Sequence, residues 1–318
     1  MTTISDLGPS TIRMVLPGQV PSHWAQAYID AFAAQGLTLA TGNEPAHAGA
    51  RYALAFRPVP GVLGAMPHLR ALFSFGAGVD AFFDDVDLPD VPLIKSVTPT
   101  HAMRMTEYIT GYVLAHHREM ARYAKAQSDH AWKPKQHAAA HRRTVGFLGF
   151  GRLGQHAGAV LKQVGFNVIG WRASNTLIEG YDIFSGQAGL PAFLGECDFM
   201  VCLLPLTPET EGIMNSDLFA ALPDHAVIIH AGRGPQLVEA DLINALDDKQ
   251  IAHAVIDVFA QEPLPEDNPL WARPDVTITP HIASAPDGEE QAVQIAEAIR
   301  KIEAGEQPDH VVDRTRGY

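Results

Sequence analysis

A glycine-rich turn in the middle of the chain constrains its fold more than any other feature. The segment Gly149–Gly154 reads Gly-Phe-Gly-Arg-Leu-Gly and matches the pattern G-x-G-x-x-G. An apolar, strand-like run precedes it at Thr144–Leu148, a helical pattern follows at Gln155–Val164, and a second apolar run covers Phe166–Trp171. Strand, tight turn, helix and strand in this order predict a βαβ unit that binds a dinucleotide.

Each glycine of the turn has its own physical role in such a site. Gly149 allows the tight turn, and Gly151 has no Cβ, so a pyrophosphate can approach the backbone. Gly154 lets the helix pack closely against the strand. The amino end of the helix then offers unpaired N–H groups and a positive dipole end to the phosphates. An ordinary glycine-rich turn is the alternative, and the flanking elements favour the dinucleotide site.

The charge and cysteine content exclude several classes of protein. The 318 residues include 23 Lys and Arg against 36 Asp and Glu, a formal net charge of −13. We therefore expect neither nucleic acid nor an anionic membrane as partner, and an anionic ligand needs a locally basic pocket. No apolar run is long enough to span a membrane, and Met1–Asp6 has no signal-peptide character. With only Cys197 and Cys202, a disulfide framework is not expected, and we predict a cytoplasmic protein. The 15 histidines show no recognisable metal-ligand spacing, so no metal site is expected.

Strand-like and helical runs alternate along the chain, which is typical of parallel sheets covered by helices. The predicted strands are Thr11–Leu16, Arg51–Phe56, Leu72–Phe75, Thr144–Leu148, Asn167–Trp171, Phe199–Leu204, Ala226–His230, Ala252–Val258 and Val276–Thr279. The predicted helices include Ser22–Gln35, Gln155–Val164, Glu239–Leu246, Gly288–Ala304 and one long helix from near Met105 past Tyr123.

The mid-chain position of the glycine-rich turn determines the predicted domain order. A dinucleotide-binding domain opens with this turn, so the residues before it must build another domain. We predict an α/β protein with two Rossmann-like or flavodoxin-like domains, each with a parallel sheet. Residues 1–98 and 285–318 form a discontinuous substrate-binding domain, and residues 99–284 form an inserted NAD(P)-binding domain. The active site is expected in the cleft between them, with hinges at the crossings.

Three reactive side chains, Arg233, Glu262 and His281, each come shortly after a predicted strand of the second domain. Because ligands bind at the carboxyl edge of an open α/β sheet, these side chains are expected to converge there. Hydride transfer to a 2-oxo acid needs these residue types. A histidine can give the carbonyl oxygen its proton, and a neighbouring carboxylate keeps that histidine charged. An arginine matches a carboxylate with two parallel hydrogen bonds.

Seven short motifs along nearly the whole chain resemble those of one enzyme family. They are Phe75–Asp80, Ala131–Pro134, Gly149–Gly154, Leu203–Thr210, Arg233–Gly234, Asp257–Phe259 with Glu262–Leu264, and Thr279–His281. The chain is similar to the D-2-hydroxyacid dehydrogenases, and within them to the glyoxylate/hydroxypyruvate reductase A type. One departure is His230, where the family usually has asparagine, while Gly232 keeps the small size usual before the arginine.

The resemblance implies roles for individual residues. Arg233 binds the substrate carboxylate, His281 is the acid/base and Glu262 is its partner, while Asp257 holds the nicotinamide carboxamide. The Ala77–Gly78 turn offers backbone N–H groups to the substrate carboxylate. The other cofactor contacts expected beside the fingerprint glycines are Arg152, Leu153, Trp171, Leu204, Pro205, Thr210, Ala231, Gly232, Ala283 and Ser284.

The resemblance also implies a homodimer. In some relatives the tryptophan that matches Trp132 reaches the partner's active site, so Trp132 is a candidate substrate contact. From the sequence alone, Trp132 is an exposed residue in a loop.

The residue after the second strand of the βαβ unit bears on the choice of cofactor. Members of the family that bind NAD have an acidic residue there, which takes the ribose hydroxyls. This chain has Arg172, followed by Ser174, and an arginine pairs with the 2′-phosphate that a carboxylate would repel. We therefore predict NADP(H), with NAD(H) as the weaker alternative and a solvated surface arginine as the other reading of Arg172.

The substrate is less constrained than the cofactor. A small 2-oxo acid such as glyoxylate or hydroxypyruvate is expected. Arg57 lies in a loop of the first domain, where it either borders the pocket and favours a polar substrate or is a solvated surface charge. A reductase of bulkier 2-oxo acids and a dimeric dinucleotide-sensing protein of the same fold are the alternatives.

Overall fold

The computed structural model describes residues 11–16, 22–41, 49–315 and 317, with the side chains of residues 22–24 left aside. The segment Met1–Asp6, used above to predict location, lies outside the described residues. The chain divides into two units, Met1–His101 with Ala285–Tyr318, and Ala102–Ser284. The first unit therefore extends three residues past the predicted boundary at 98, and the second ends where the inserted domain was predicted to end.

The helices and strands alternate as the sequence pattern predicts. The strands are β1 (Thr11–Val15), β2 (Thr38–Thr41), β3 (Tyr52–Ala55), β4 (Ala71–Ser74), β5 (Leu93–Ile94), β6 (Thr144–Leu148), β7 (Asn167–Arg172), β8 (Asp182–Ser185), β9 (Phe199–Cys202), β10 (Val227–His230), β11 (His253–Ile256) and β12 (Val276–Ile278). The helices are α1 (Ser22–Ala34), α2 (Pro99–His117), α3 (Met120–Ser128), α4 (Arg152–Val164), α5 (Gly186–Gly195), α6 (Ser216–Ala221), α7 (Glu239–Asp247) and α8 (Gly288–Glu303).

The first unit is built on a five-stranded parallel sheet in the order β2-β1-β3-β4-β5. This order is that of flavodoxin-like folds. Helix α8 belongs to this unit although it follows the second unit in the chain, and it buries Ala292, Ile295 and Ile299 in the same core as Phe32 of α1. The side chain of Asp287 caps α8 by accepting hydrogen bonds from two backbone N–H groups of its first turn.

The second unit is a seven-stranded parallel sheet in the order β12-β11-β10-β9-β6-β7-β8. Counted from β6, this is the Rossmann order 3-2-1-4-5-6 with one further strand at the edge. The direction of strand succession reverses between β6 and β9, which is the position where such sheets bind ligands. The glycine-rich turn follows β6 directly, so it stands at that reversal. Both units are Rossmann-like α/β folds, as predicted.

The nine predicted strands are present, each within two residues of its predicted ends. Three further strands, β2, β5 and β8, were not predicted. All three are edge strands of their sheets. β2 and β8 are largely half-buried or exposed, and β5 has only two residues. A partly exposed strand and a strand of two residues both carry little of the apolar patterning from which strands are predicted.

The prediction of a single long helix from Met105 past Tyr123 was wrong. Helix α2 begins earlier, at Pro99, and ends at His117, and α3 starts at Met120 after a break. Glu119 occupies the left-handed region at the break, with φ of 49°. Its carboxylate pairs with Arg122 and Lys135, and these ion pairs favour the conformation that ends the helix.

Within the described part of the chain, no helix is both long and apolar enough to cross a membrane. Both cysteines, Cys197 and Cys202, are buried thiols that form no disulfide.

Candidate active site

The glycine-rich turn places the amino end of α4 at the carboxyl end of β6. Gly149 has φ of 100°, a left-handed conformation that side chains other than glycine rarely adopt. A Cβ there would also lie 2.8 Å from the backbone nitrogen of Leu204. The turn thus packs against the loop that leaves β9, and both the conformation and the close approach require glycine.

The other two glycines of the turn differ in their surroundings. A Cβ on Gly151, the residue before α4, would meet nothing within 4 Å, so the backbone there is open to a ligand. A Cβ on Gly154 would lie 3.1 Å from the carbonyl oxygen of Gly149, so the helix is packed tightly against the turn. Arg152, the first residue of α4, is exposed, and Leu153 is half-buried. The amino end of α4 therefore offers open backbone N–H groups and a positive side chain.

The backbone of Trp171 holds this turn through hydrogen bonds. Its carbonyl oxygen accepts hydrogen bonds from the backbone nitrogens of Gly149 and Phe150, at 3.1 and 3.2 Å. Its indole is only 3% exposed and donates a hydrogen bond to the carbonyl oxygen of Gly186. The side chain of Trp171, a predicted cofactor contact, is therefore buried in the core. Its carbonyl oxygen contributes to the site by fixing the position of the turn.

Two arginines provide positive charge around the turn. Arg172 is the last residue of β7 and is half-buried, and Arg152 lies at the start of α4. Neither forms an ion pair with any residue in the described part of the chain. In a chain of net charge −13, unpaired guanidinium groups at the carboxyl edge of a parallel sheet form a locally basic site suited to phosphate. Ser174, two residues further on, is exposed, with its hydroxyl 3.2 Å from that of Thr176.

The loop after β9 lies beside the glycine-rich turn, at the same carboxyl edge of the sheet. Leu204 is buried, and Pro205 accepts hydrogen bonds through its carbonyl oxygen from the hydroxyl of Thr210 and the amide of Gln236. Ala231 and Gly232, which follow β10, are buried. The structure thus places these predicted cofactor contacts at the carboxyl ends of β9, the neighbour of β6, and of β10, the next strand of the sheet.

Arg233 lies just after β10 and is half-buried. Its guanidinium donates a hydrogen bond of 2.8 Å to the carbonyl oxygen of Gly232. The next residue, Gly234, packs closely against the loop after β11, and a Cβ on it would lie 1.8 Å from the carbonyl carbon of Phe259. The backbone nitrogen of Phe259 also donates a hydrogen bond to the Glu262 carboxylate. The Arg233 loop therefore packs against the loop that carries Glu262.

Glu262 and His281 form a direct pair. The imidazole Nδ1 of His281 lies 2.9 Å from the Oε2 of Glu262, and the Oε1 of Glu262 accepts a hydrogen bond from the backbone nitrogen of Phe259. The two side chains are 28% and 16% exposed. The carboxylate therefore fixes which imidazole nitrogen faces it, and leaves Nε2 on the side of the ring away from Glu262. His281 also has φ of 54°, a strained backbone of the kind that occurs at functional sites.

Asp257 holds the backbone of the histidine loop. Its buried carboxylate accepts hydrogen bonds from the backbone nitrogens of Ile282 and Ala283, both at 2.9 Å, and from the hydroxyl of Thr279 at 2.5 Å. Its carbonyl oxygen accepts a further bond from the backbone nitrogen of His281. The carboxylate predicted to hold a carboxamide is thus also the clamp for the strained residue His281.

The hydroxyl of Tyr108 extends this clamp to helix α2. Because the Asp257 carboxylate can only accept, the Thr279 hydroxyl donates to it and must itself accept from Tyr108, at 2.7 Å. Burial raises the pKa of Tyr108, which keeps the phenol protonated as that donor. The sequence names Thr279 only as part of a motif and does not indicate Tyr108, because a tyrosine in a helix gives no signal of a contact this distant along the chain.

The predicted substrate contacts of the first unit lie in loops after its strands. Ala77 and Gly78 are half-buried, and the loop is held by a hydrogen bond of 3.0 Å from the Ser74 hydroxyl to the Gly78 carbonyl oxygen. Arg57 follows β3 with φ of 45° and lies over the ring of Phe56. The left-handed backbone at Arg57 is a second strained position in a predicted site residue.

Trp132, in the second unit, is 96% exposed. Its loop is fastened to α3, because Lys135 donates from its backbone nitrogen to the hydroxyl of Tyr123 and pairs with Glu119. Ser284, the last predicted cofactor contact, ends this unit and is half-buried. Across residues 11–16, 22–41 and 49–315, no cluster of three His, Cys, Asp or Glu could hold a metal ion.

His230, the residue that departs from the family pattern, is fully buried at the end of β10. Its Nε2 lies 3.0 Å from the carbonyl oxygen of Arg233, so the neutral ring donates there. Within the described residues its Nδ1 has no partner. Burial, with the nearby positive charge of Arg233, lowers the pKa of His230 to about 4.

This lowered pKa predicts an acid-dependent loss of stability. Above about pH 6.5 the imidazole is neutral in both states, but between 6.5 and 4 the unfolded chain takes up a proton that the folded chain refuses. His230 therefore reduces the free energy of unfolding by up to about 3 kcal/mol across this interval. In urea unfolding at pH 7.5 and 4.5, the variant His230→Asn should show a smaller decline than the wild type. An equal decline in both proteins would contradict the assignment.

Comparison with known proteins shows the family of the chain. Residues 110–283 match the family model described as D-isomer specific 2-hydroxyacid dehydrogenase, NAD binding domain. A curated relative, glyoxylate/hydroxypyruvate reductase A of Yersinia enterocolitica, is 39% identical over 275 residues, which are 85% of this chain and 88% of the relative. The chain belongs to the D-2-hydroxyacid dehydrogenase family. The predicted family resemblance is thereby confirmed, and as a member the chain is an NAD(P)-dependent dehydrogenase.

Solved structures of other D-2-hydroxyacid dehydrogenases are similar to this chain. A D-isomer specific 2-hydroxyacid dehydrogenase of Xanthobacter autotrophicus Py2, in complex with NADPH and MES, is 38% identical, with a TM-score of 0.88 over 98% of this chain and 100% of that one. The NADPH-dependent glyoxylate/hydroxypyruvate reductase of Sinorhizobium meliloti, in complex with NADP and sulfate, is 37% identical, with a TM-score of 0.88 over 97% and 100%.

Proposed function

We propose that this dehydrogenase uses NADPH to reduce a small 2-oxo acid, of the glyoxylate or hydroxypyruvate kind, to the D-2-hydroxy acid. The observation that carries the proposal is the His281–Glu262 pair, 2.9 Å apart, beside the Arg233 loop at the carboxyl ends of neighbouring strands. The names of the similar reductases support the substrate class.

Each of the three residues has a distinct task in this proposal. Arg233 binds the substrate carboxylate through its planar guanidinium and draws electron density from the neighbouring carbonyl. His281 gives its proton to the carbonyl oxygen as negative charge develops there. Glu262 stabilises the charged imidazole through Nδ1, so that Nε2 is the nitrogen that transfers the proton. When bound, NADPH supplies the hydride for the carbonyl carbon.

The residues around the fingerprint fit a phosphorylated dinucleotide. The open backbone at Gly151 and the amino end of α4 suit the pyrophosphate, and Arg172 and Arg152 suit a 2′-phosphate. The relatives solved with NADPH or NADP support this preference. Asp257, Ala283 and Ser284 then lie where the nicotinamide end is proposed to bind.

Replacing Arg172 by aspartate should reverse the cofactor preference. The carboxylate repels a 2′-phosphate and accepts hydrogen bonds from a ribose 2′-hydroxyl, so kcat/KM with NADPH should fall by about 10²-fold while that with NADH is unchanged or rises. Initial rates with the two cofactors measure this. Arg142→Asp, at an exposed arginine that precedes β6 at the opposite end of the sheet from the glycine-rich turn, is the control for charge alone. A preference for NADPH that survives in Arg172→Asp would contradict the assignment.

The proposed function is tested with purified protein and a panel of 2-oxo acids. NADPH oxidation is followed with glyoxylate, hydroxypyruvate, pyruvate and bulkier branched 2-oxo acids. The highest kcat/KM is expected with glyoxylate or hydroxypyruvate. Tight NADPH binding without turnover of any acid would instead favour a dinucleotide-sensing protein, and a preference for branched acids would overturn the substrate class.

Residues of the first unit are proposed to contact the substrate, and the loop around Trp132 is proposed to take part in a dimer interface. The Ala77–Gly78 backbone is proposed to bind the substrate carboxylate, and the strained Arg57 is proposed to favour a polar substrate. The exposed Trp132 and helix α3, which has no buried residue, are proposed to lie at the interface of a homodimer in the cytoplasm. Light scattering of the wild type and Trp132→Ala would test the dimer.

A further inference from the structure

We propose that Gln236 is a positioning residue that fixes Arg233 and ties it to the loop proposed to hold the cofactor. The inference rests on the proposed function, because it assumes that Arg233 binds the substrate carboxylate. Neither the motifs nor the family resemblance pointed to Gln236.

The side-chain amide of Gln236 bridges two loops. It is 0% exposed and lies in a short 3-10 helix, Gly234–Gln236, after β10. Its Oε1 accepts a hydrogen bond of 2.8 Å from the backbone nitrogen of Arg233. Its Nε2 donates to the carbonyl oxygens of Leu204 and Pro205, at 3.1 and 2.9 Å, in the loop after β9.

The bonding capacity of this amide is fully used. An amide oxygen can accept two hydrogen bonds and an amide nitrogen can donate two. The second bond to Oε1 comes from the thiol of Cys202, at 3.8 Å. A buried amide with all of its hydrogen bonds made is held in one orientation. Partial loss of its bonds lowers the free energy of unfolding, because the remaining polar groups stay buried without partners.

The main chain of Arg233 is held at both of its polar groups. Its nitrogen donates to Oε1 of Gln236, and its carbonyl oxygen accepts from the backbone nitrogen of Gln236 at 3.0 Å and from Nε2 of His230 at 3.0 Å. A Cβ on Gly232 would lie 2.3 Å from Oε1, so a glycine is required there for Gln236 to reach its partner. The small residue before the arginine, noted in the sequence, thus has a physical reason.

The consequence for catalysis follows from this bridge. A carboxylate clamp works only if its guanidinium is held to within a fraction of an ångström, and small misplacements are expensive in rate. Gln236 touches neither reacting group in this proposal, and it acts through Arg233. Its loss should therefore weaken binding of the substrate carboxylate more than it slows the proton transfer at His281.

The test compares two substitutions at Gln236 with one elsewhere. Gln236→Leu nearly keeps the volume and removes every side-chain hydrogen bond of this residue. KM for glyoxylate should rise by about tenfold or more with a smaller change in kcat. Gln236→Glu is the conservative variant, since burial favours the neutral acid, which accepts from Arg233 and donates to one carbonyl. Its KM should stay within about threefold of the wild type. Gln294→Leu, at a glutamine that bridges the Val97 nitrogen and the Lys95 carbonyl oxygen, should leave KM unchanged.

A second readout does not depend on turnover. Oxalate, a two-carbon dicarboxylate, is titrated into each NADPH-loaded protein, and its Kd should rise by about tenfold in Gln236→Leu alone. A merely structural role would lower thermal stability and the active fraction, leaving KM and the oxalate Kd at the wild-type values, and that result would overturn the inference. Absence of turnover by the wild type would overturn the proposed function only, because the oxalate titration still reports on the Arg233 clamp. A wild type that neither turns over 2-oxo acids nor binds oxalate would overturn both.

Discussion

Replacing His281 by alanine is expected to lower kcat by about 10²- to 10⁴-fold, with little change in NADPH affinity. A positioned general acid contributes a factor of this size, and His281 is the histidine whose Nδ1 is paired with a carboxylate beside the Arg233 loop. Steady-state kinetics with glyoxylate and fluorescence titration with NADPH measure the two quantities separately.

The control for this prediction is His225→Ala. His225 is also paired with a carboxylate, since its Nε2 lies 2.7 Å from Asp198, but it precedes β10 at the opposite end from Arg233. Its kcat should match that of the wild type. Near-normal turnover in His281→Ala, or an equal loss in His225→Ala, would remove His281 from its proposed role.

Replacing Arg233 by lysine is expected to lower kcat/KM by about 10²- to 10³-fold, mainly through KM. Lysine keeps the positive charge and loses the planar fork that matches a carboxylate, and loss of a buried charged pair costs about 2–5 kcal/mol. Initial rates over a range of hydroxypyruvate concentrations separate KM from kcat.

The matched substitution Arg273→Lys should have no such effect. Arg273 uses its guanidinium to hold Asp247 and Asp275, in a structural ion pair away from the Arg233 loop. If Arg233→Lys binds and reduces hydroxypyruvate as well as the wild type does, the carboxylate clamp must lie elsewhere.

Much of the fold could be predicted because its apolar runs are long and strongly patterned. The strands around the fingerprint, β6 and β7, are buried and β-rich, and the turn between them has glycines at the positions where the backbone needs them. The edge strands β2 and β8 were missed because they bury little apolar surface, and β5 was missed because it has only two residues. The break at Glu119 was missed because the left-handed residue is not a glycine and is stabilised by Lys135, sixteen residues away.

The candidate site could be predicted in part for the same reason. Arg233, Glu262 and His281 follow strands in sequence, and the strand order then brings their loops together. The supporting residues Gln236, Tyr108 and Thr279 act through side-chain hydrogen bonds that reach other loops and helices, and such pairings leave no periodic signal. The cofactor contact at Trp171 stays a prediction, and the sequence pattern did not indicate that its indole fills the core.

Transfer of a labelled hydride tests the central claim most directly. Hydroxypyruvate is reduced by the wild-type protein with NADPH that carries deuterium at both C4 positions, and the glycerate formed is examined by NMR and chiral chromatography. The account predicts one deuterium at C2 of D-glycerate for each NADPH consumed. Glycerate without deuterium at C2, the L-isomer, or NADPH consumption without glycerate would contradict it.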